Sequence, residues 1–187
     1  MRISATHDRD AVAPASARTP AATRTVWCRY RSPLGPMRIV GDGRAITHAT
    51  FDGQKYDPTA SDDWREDPRD RCLVEAARQL DRYFAGRLAV FDLPLAPRGT
   101  RFQQAVWRAI AGVPAGSTIS YGELARRAGR PAAVRAAAAA TGRNPLSIVV
   151  PCHRIVGADG SLTGYAGGLD RKRALLAIEH AAAAPAR

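Results

Sequence analysis

Residues 148 to 157, Ile-Val-Val-Pro-Cys-His-Arg-Ile-Val-Gly, set a thiol between a proline and a histidine behind a β-branched apolar run. Two readings fit Cys152. A lone cysteine is commonly a small buried apolar side chain. With a base beside it, the same residue is a nucleophile: a thiol of ordinary pKa ~8.5 is mostly protonated at neutral pH and needs an imidazole or a positive neighbour to yield thiolate. His153 follows directly, Glu179 and His180 lie near the C-terminus, and Asn144-Pro145 stands upstream. A carboxylate such as Glu179 can orient an imidazole. Adjacent side chains on a strand face opposite sides, so Cys152 and His153 cooperate only where the backbone bends or a water bridges them.

The elements that must position this group fall into two halves. Residues 1–25, rich in Ala, Arg, Thr and Pro without apolar periodicity, read as a disordered tail. From Val26, short β-prone runs separated by Ser-Pro-Leu-Gly and Gly-Asp-Gly turns predict a small antiparallel sheet. Leu73, Ala76, Leu80, Tyr83 and Phe84 follow helical spacing, with Gly86 placed to end that helix. The character changes near Pro97, which divides a sheet domain (26–97) from a C-terminal domain (98–187).

The second half reads as helices. Phe102, Val106, Ile110 and Val113 mark an amphipathic helix over about 101–112, stopped by Pro114 and Gly116. Ser120 with Glu123 forms a capping-box pattern that starts another helix, closed by Gly129. Pro131 suits the first turn of a third, Ala-rich helix that runs to Gly142. Two short helices joined by a Gly-containing turn are either a helix-turn-helix or a pair packed in an ordinary core. Positions 136 to 140 are all alanine, and only Arg135 projects from them. Such a surface lacks the long polar side chains that read a major groove. It suits close approach to a backbone or a minor groove, with one arginine able to fill a gap in a base stack.

Charge is unevenly placed. Of the formal +11, residues 26–97 contribute zero and residues 98–187 contribute +9. This favours a polyanionic partner such as nucleic acid, a solvated basic face being the alternative. No run approaches the ~20 apolar residues of a membrane span, and the N-terminus has no secretory apolar core. Cys28, Cys72 and Cys152, odd in number and widely spaced, suit reduced thiols in a cytoplasm.

Asn144-Pro145, Pro151-Cys152-His153-Arg154, Tyr165-Ala166-Gly167-Gly168 and Ile119-Ser120-Tyr121, in that arrangement, are similar to the O6-alkylguanine-DNA alkyltransferase family, the methylated-DNA–protein-cysteine methyltransferases. The likeness is dense over about 98–180 and looser over 26–97. It implies an α+β fold, a small N-terminal antiparallel-sheet domain with a helix followed by a mostly helical winged-helix/helix-turn-helix-like DNA-binding domain. It also implies irreversible transfer of an alkyl group from O6-alkylguanine, and less so O4-alkylthymine, in duplex DNA to Cys152, after base flipping through the minor groove.

Carried over by position, the resemblance makes Cys152 the acceptor and His153 its base through a water, with Glu179 orienting His153 and Asn144 supporting the turn. Tyr121 assists departure of guanine and touches the adjacent phosphate. Arg135 is the finger, with Ala136, Ala138 and Thr141 on the DNA-binding helix. Tyr165, Ala166, Gly167 and Ile155 wall the base pocket, and Arg154 supports the cysteine turn. Ala137 and Ala138 stand where the family usually has Val-Gly, which puts a methyl at 138 against the sugar–phosphate backbone. Zinc occurs in some relatives, but His7, Cys28, His48 and Cys72 fit no standard site, so no metal or other cofactor is expected. The expected protein is a monomer on double-stranded DNA, loading singly or cooperatively, in the cytoplasm with the nucleoid. Two rivals share the thiol: a lesion sensor with a silent cysteine, and a Cys-His hydrolase, which leaves Arg135 and the basic charge unexplained.

Overall fold

The computed structural model describes residues 24–57 and 63–183; the expected tail up to residue 23, with His7, lies outside the described residues. Strands β1 (Val26–Ser32), β2 (Gly35–Gly41) and β3 (Ile46–Phe51) form an antiparallel meander. A two-residue strand, β4 (Arg65–Glu66), pairs parallel to β1 and gives the order β3-β2-β1-β4. The sheet is therefore mixed at one edge, where a purely antiparallel one was expected. Thr25 also joins that edge, its carbonyl accepting from Arg65 N at 3.0 Å.

Alternation decides which face is buried. Val26, Cys28 and Tyr30 point inward from β1, and Met37 and Ile39 lie opposite Tyr30 and Cys28 on β2. Helix α1 (Arg71–Phe84) covers that face with Leu73, Ala76, Leu80 and Tyr83. Asp70 starts it by accepting from the Cys72 and Leu73 amides. Gly86, at φ 68°, lets the chain leave it.

The open edge of β3 binds the two halves of the molecule. Ile46 donates to Pro94 O and accepts from Ala96 N, while Ala49 N donates to Pro145 O and Ala49 O accepts from Ser147 N, each at 2.8 to 2.9 Å. An edge whose polar groups would otherwise face solvent is thus filled by the linker and by the loop leading to Cys152.

The C-terminal half packs α2 (Arg101–Ala111), α3 (Tyr121–Arg127) and α4 (Val134–Gly142) on one another. Trp107 of α2 donates its indole N–H to Ala140 O on α4 at 2.9 Å, both groups being buried. Ser120 caps α3 by accepting from Glu123 N, but the Glu123 carboxylate pairs with Arg126 and Arg127 and does not return to the cap. Only half of the expected capping box forms. Helix α4 begins three residues after Pro131, because a turn closed by Ala133 N on Arg130 O encloses the proline, and Arg130 has no side-chain acceptor to start a helix there. A short parallel pair, β5 (Ile119–Ser120) with β6 (Ile155–Val156), ties the chain after Cys152 to the start of α3. The last helix, α5 (Leu169–Ala183), was not apparent from periodicity. The whole is α+β, as expected, and no described helix is long and apolar enough to cross a membrane.

Trp107→Phe would remove the indole donor from Ala140 O, which keeps only the Arg143 N–H at 3.2 Å, a loss of about 0.5–1.5 kcal/mol. Urea unfolding should show a lower midpoint with an unchanged slope; an unaltered midpoint would mean that this bond does not hold α2 to α4.

Candidate active site

Asn144 sits just beyond the end of α4 and gathers the following loop around its side chain. Its Oδ1 accepts from Leu146 N at 3.0 Å, and its Nδ2 donates to Val150 O at 2.8 Å and to Cys152 Sγ at 3.1 Å. Within that loop Ile148 takes φ 73°, costly for a β-branched residue and held only because its surroundings over-determine it. A single 3₁₀ turn, Cys152–Arg154, then bends the chain so that Cys152 and His153 are both buried in the interior. That turn is the bend the adjacent pair requires.

Behind it lies one buried carboxylate. Glu179 Oε1 accepts from His153 Nε2 at 2.8 Å, Arg154 Nη2 at 2.8 Å and Tyr83 Oη at 2.9 Å. Its Oε2 accepts from Arg154 Nε at 2.9 Å and Gly116 N at 3.3 Å. Burial alone would raise its pKa, but the His153 and Arg154 donors outweigh burial and hold the carboxyl well below the usual range. Arg154 also donates to Val113 O, so it anchors the cysteine turn to the end of α2.

His153 is pushed the other way. Burial lowers its pKa more than Glu179 raises it, so the ring is neutral at physiological pH. With Nε2–H given to Glu179, Nδ1 is a buried acceptor without a hydrogen-bond partner. Burial raises the Cys152 thiol, opposed by the Asn144 amide and by the charge of Lys172. The resting site therefore holds a protonated thiol with an unused basic nitrogen next to it in sequence.

A cavity of about 460 Å³ is lined by Tyr121, Ala138, Gly142, Tyr165 and Ala166 from the C-terminal half. Both phenols, Tyr121 and Tyr165, lie close enough to Cys152 to feel its charge. Tyr121 is pushed up by burial and stays a donor, resting on Thr163 O and Gly164 O through long bonds of 3.3 and 3.4 Å. Gly167 is required where it stands: a Cβ there would meet the Tyr165 ring at 2.9 Å and Phe51 at 3.3 Å.

The sequence-predicted residues divide by location. Cys152, His153, Glu179 and Asn144 form one buried cluster, and Tyr121, Tyr165, Ala166 and Ala138 line the cavity. Arg135 and Ala136 are exposed at the start of α4, and Arg135 has no ion-pair or hydrogen-bond partner among the described residues. Two expected positions are corrected. Thr141 is buried with its hydroxyl on Ala137 O, which turns it inward from any DNA-facing surface. Ile155 is fully buried in β6, and the cavity is not lined by it. Ala138 lines the cavity, while Ala137 packs in the core.

Sequence reasoning missed Lys172 and Tyr83. Lys172 is fully buried, donates to Ile155 O and Thr163 O, and is pushed down to about 8 by burial. The arrangement around Cys28, with its thiol driven up to about 11 by burial, makes it an inert core residue, and no metal-holding cluster occurs among the described residues.

Fold and site together define an α+β protein in which a buried cysteine, next in sequence to a histidine bound to a buried carboxylate, lies near two tyrosines that line a cavity. Comparison with known sequences gives it a family. Residues 26–97 match the ribonuclease-like domain of 6-O-methylguanine DNA methyltransferase, and residues 101–181 match the DNA binding domain of the same family. The chain is 49% identical over 148 residues to a methylated-DNA–protein-cysteine methyltransferase of Mycobacterium tuberculosis, covering 79% of this chain and 88% of the relative. It is 47% identical over 150 residues to that of Methanosarcina acetivorans, covering 80% and 95%. A crystal structure of M. tuberculosis OGT in complex with DNA superposes with a TM-score of 0.78 at 45% identity, covering 86% of this chain and 96% of that one. The chain belongs to the 6-O-methylguanine DNA methyltransferase family.

Glu179→Gln should cost about 3–5 kcal/mol at neutral pH by leaving Arg154 buried without its countercharge. Because the folded-state pKa of Glu179 is depressed, its stabilisation is complete above the unfolded value and fades as pH falls through the folded one. The stability gap between wild type and variant should hold steady above about pH 5 and narrow toward about pH 2, measured by urea unfolding across that range. A gap independent of pH would remove Glu179 from the ionic cluster.

Proposed function

We propose that this protein repairs alkylated DNA by moving the alkyl group of O6-alkylguanine, and less readily that of O4-alkylthymine, onto Cys152. The observation that carries this reading is a buried, Asn144-bonded thiol followed directly in the chain by a histidine whose Nδ1 is buried without a partner. That nitrogen can take the thiol proton through one intervening water, and Glu179 stabilises the imidazolium that results.

The thiolate attacks the alkyl carbon. The new S–C bond forms as the C–O6 bond breaks, and the bonding pair leaves with guanine as an anion. Tyr121, kept protonated by burial, donates toward that anion, and the proton first taken by His153 restores neutrality. Stabilising charge that appears only as guanine departs lowers the barrier without tightening the ground state. The product is a thioether, which nothing in the site can hydrolyse, so each molecule acts once.

Chemistry at O6 needs the base outside the stack. The alanine surface of α4 lets the helix lie close to a minor groove, and Arg135, exposed and unpartnered, fills the space the base vacates. The cavity behind Tyr121 and Ala138 receives the everted base. The same reading places the protein with the nucleoid, in the cytoplasm, as a monomer on duplex DNA.

Incubation with an O6-methylguanine oligonucleotide should add one methyl mass to the protein, mapping to the Cys152 peptide; no gain, or a gain elsewhere, rejects the reading. Cys152→Ala should still bind DNA, and loss of binding would make Cys152 structural. Arg135→Ala should slow transfer from duplex DNA at least about 10-fold while free O6-benzylguanine reacts within about twofold of wild type, since only the duplex demands extrusion. Equal losses on both substrates would refute the finger role.

A further inference from the structure

The rim of the cavity carries a feature that the transfer reaction does not use. Tyr56, in the loop after β3, holds φ 66°, a left-handed conformation rare for an aromatic residue, and leaves 53% of its surface exposed. Backbone strain of this kind persists where the surroundings impose it, and here a hydrogen bond from Lys55 N to Ala166 O, 3.1 Å long, pins the loop to the cavity wall. The Tyr56 ring carries two cations: Lys55 Nζ lies 5.1 Å from its centroid and the Arg143 guanidinium 5.2 Å. Lys55 belongs to the sheet domain and Arg143 caps the end of α4, so one ring joins the two domains through their charges.

Electrostatics leave this group incomplete. Lys55 and Arg143 are exposed, lie within about 10 Å of each other, and have no acidic partner among the described residues. Two like charges sharing one ring repel at that range, and an exposed cation–π contact returns only about 0.5–1 kcal/mol each. An anion between them would turn the repulsion into attraction. Lys55 and Tyr56 line the same cavity as Tyr121, Ala138 and Tyr165, so the anion belongs to whatever enters it. A nucleotide everted into that cavity stays tied to its strand by phosphodiesters, which must cross the rim.

We infer that Lys55, Tyr56 and Arg143 form a phosphodiester clamp, in which the sheet domain and the end of α4 together grip the DNA strand beside the everted nucleotide. The inference rests on the reading of the cavity as the receptacle for a flipped base. It makes the sheet domain part of the DNA interface, and it places the clamp on the strand itself, away from the reacting atoms. Tyr56 is the spacer that sets the two charges apart.

The test separates the clamp from the chemistry. In a Cys152→Ser background, binding to an O6-methylguanine duplex is measured from low to moderate salt. Each lost phosphate contact should reduce the steepness of log Kd against log[salt] by about 1, so Lys55→Ala and Arg143→Ala should each lose about 1 and the double variant about 2. Lys55→Arg should keep the wild-type slope. With Cys152 intact, Arg143→Ala, at a residue outside the cavity lining, should be alkylated more slowly by duplex DNA yet react within about twofold of wild type with free O6-benzylguanine, which carries no phosphate. Thermal melting verifies folding, and Tyr56→Asn, which tolerates the left-handed backbone, should lower affinity while melting like wild type. An unchanged salt slope in the double variant overturns the clamp, and so does an equal loss on the free base, which would make these residues pocket walls. Competition by inorganic phosphate at low millimolar concentration would also overturn it, by showing a site for the free ion. If wild type itself gains no alkyl mass, the functional reading fails; if it does and the slope is unmoved, only the clamp fails.

Discussion

One buried carboxylate organises this molecule. Glu179 accepts five hydrogen bonds, from His153, Tyr83, Gly116 and twice from Arg154, in a region where the side chain is almost fully enclosed. A lone charge there would be intolerable, and the favourable outcome depends on Arg154 balancing it and on every lone pair being used. The consequences reach outward in three directions. Through His153 the carboxylate fixes which ring nitrogen is free; through Arg154 and Val113 it ties the cysteine turn to α2; through Tyr83 it engages α1 of the sheet domain. The N-terminal half is therefore a structural component of the reactive centre, a conclusion strengthened by the β3 edge that carries the loop from Pro145 to Ser147.

Strain and satisfaction balance in that loop. Ile148 is held in a left-handed conformation between two anchors: the β3 hydrogen bonds on one side and the Asn144 amide on the other. Asn144 alone can do this, since it offers an acceptor to Leu146 N while its amino group reaches Val150 O and the sulfur. Aspartate would have no donor for the sulfur, and its charge would raise the thiol pKa further. The direction of every perturbation in the site is consistent: the thiol is kept neutral, the imidazole is kept neutral, and the carboxylate is kept charged.

Much of this was legible in the residues. Pro151-Cys152-His153-Arg154 with Asn144-Pro145 fixed the identity of the buried cluster, and Arg135 on a run of alanines marked an exposed cation on a smooth helix. Other parts were hidden for physical reasons. Helix α5 escaped because its buried face includes Lys172 and Glu179 as well as Leu175 and Leu176, so charged residues occupy positions where periodicity looks for apolar ones. Thr141 was placed on the DNA-facing side of the helix by resemblance alone, yet a hydroxyl can bond back to the carbonyl four residues earlier and enter a core. Tyr83 read as an ordinary core aromatic; its hydroxyl finds Glu179 across 96 positions of sequence, a contact no local pattern encodes.

The neutral resting thiol has a functional logic under the proposed irreversible transfer to Cys152. A thiolate standing ready in an open site would be consumed by any soft electrophile. Burial protects Cys152 by raising its pKa, and the cost is a barrier to forming the nucleophile. In the proposed reaction that barrier is recovered when an alkylated base enters the cavity and brings its alkyl carbon into line with the sulfur, whose negative charge Lys172 favours. Reactivity is thus conditional on occupancy. The same enclosure that keeps the His153 ring neutral keeps the thiol protonated, so in the proposed reaction the nucleophile forms only once substrate is bound.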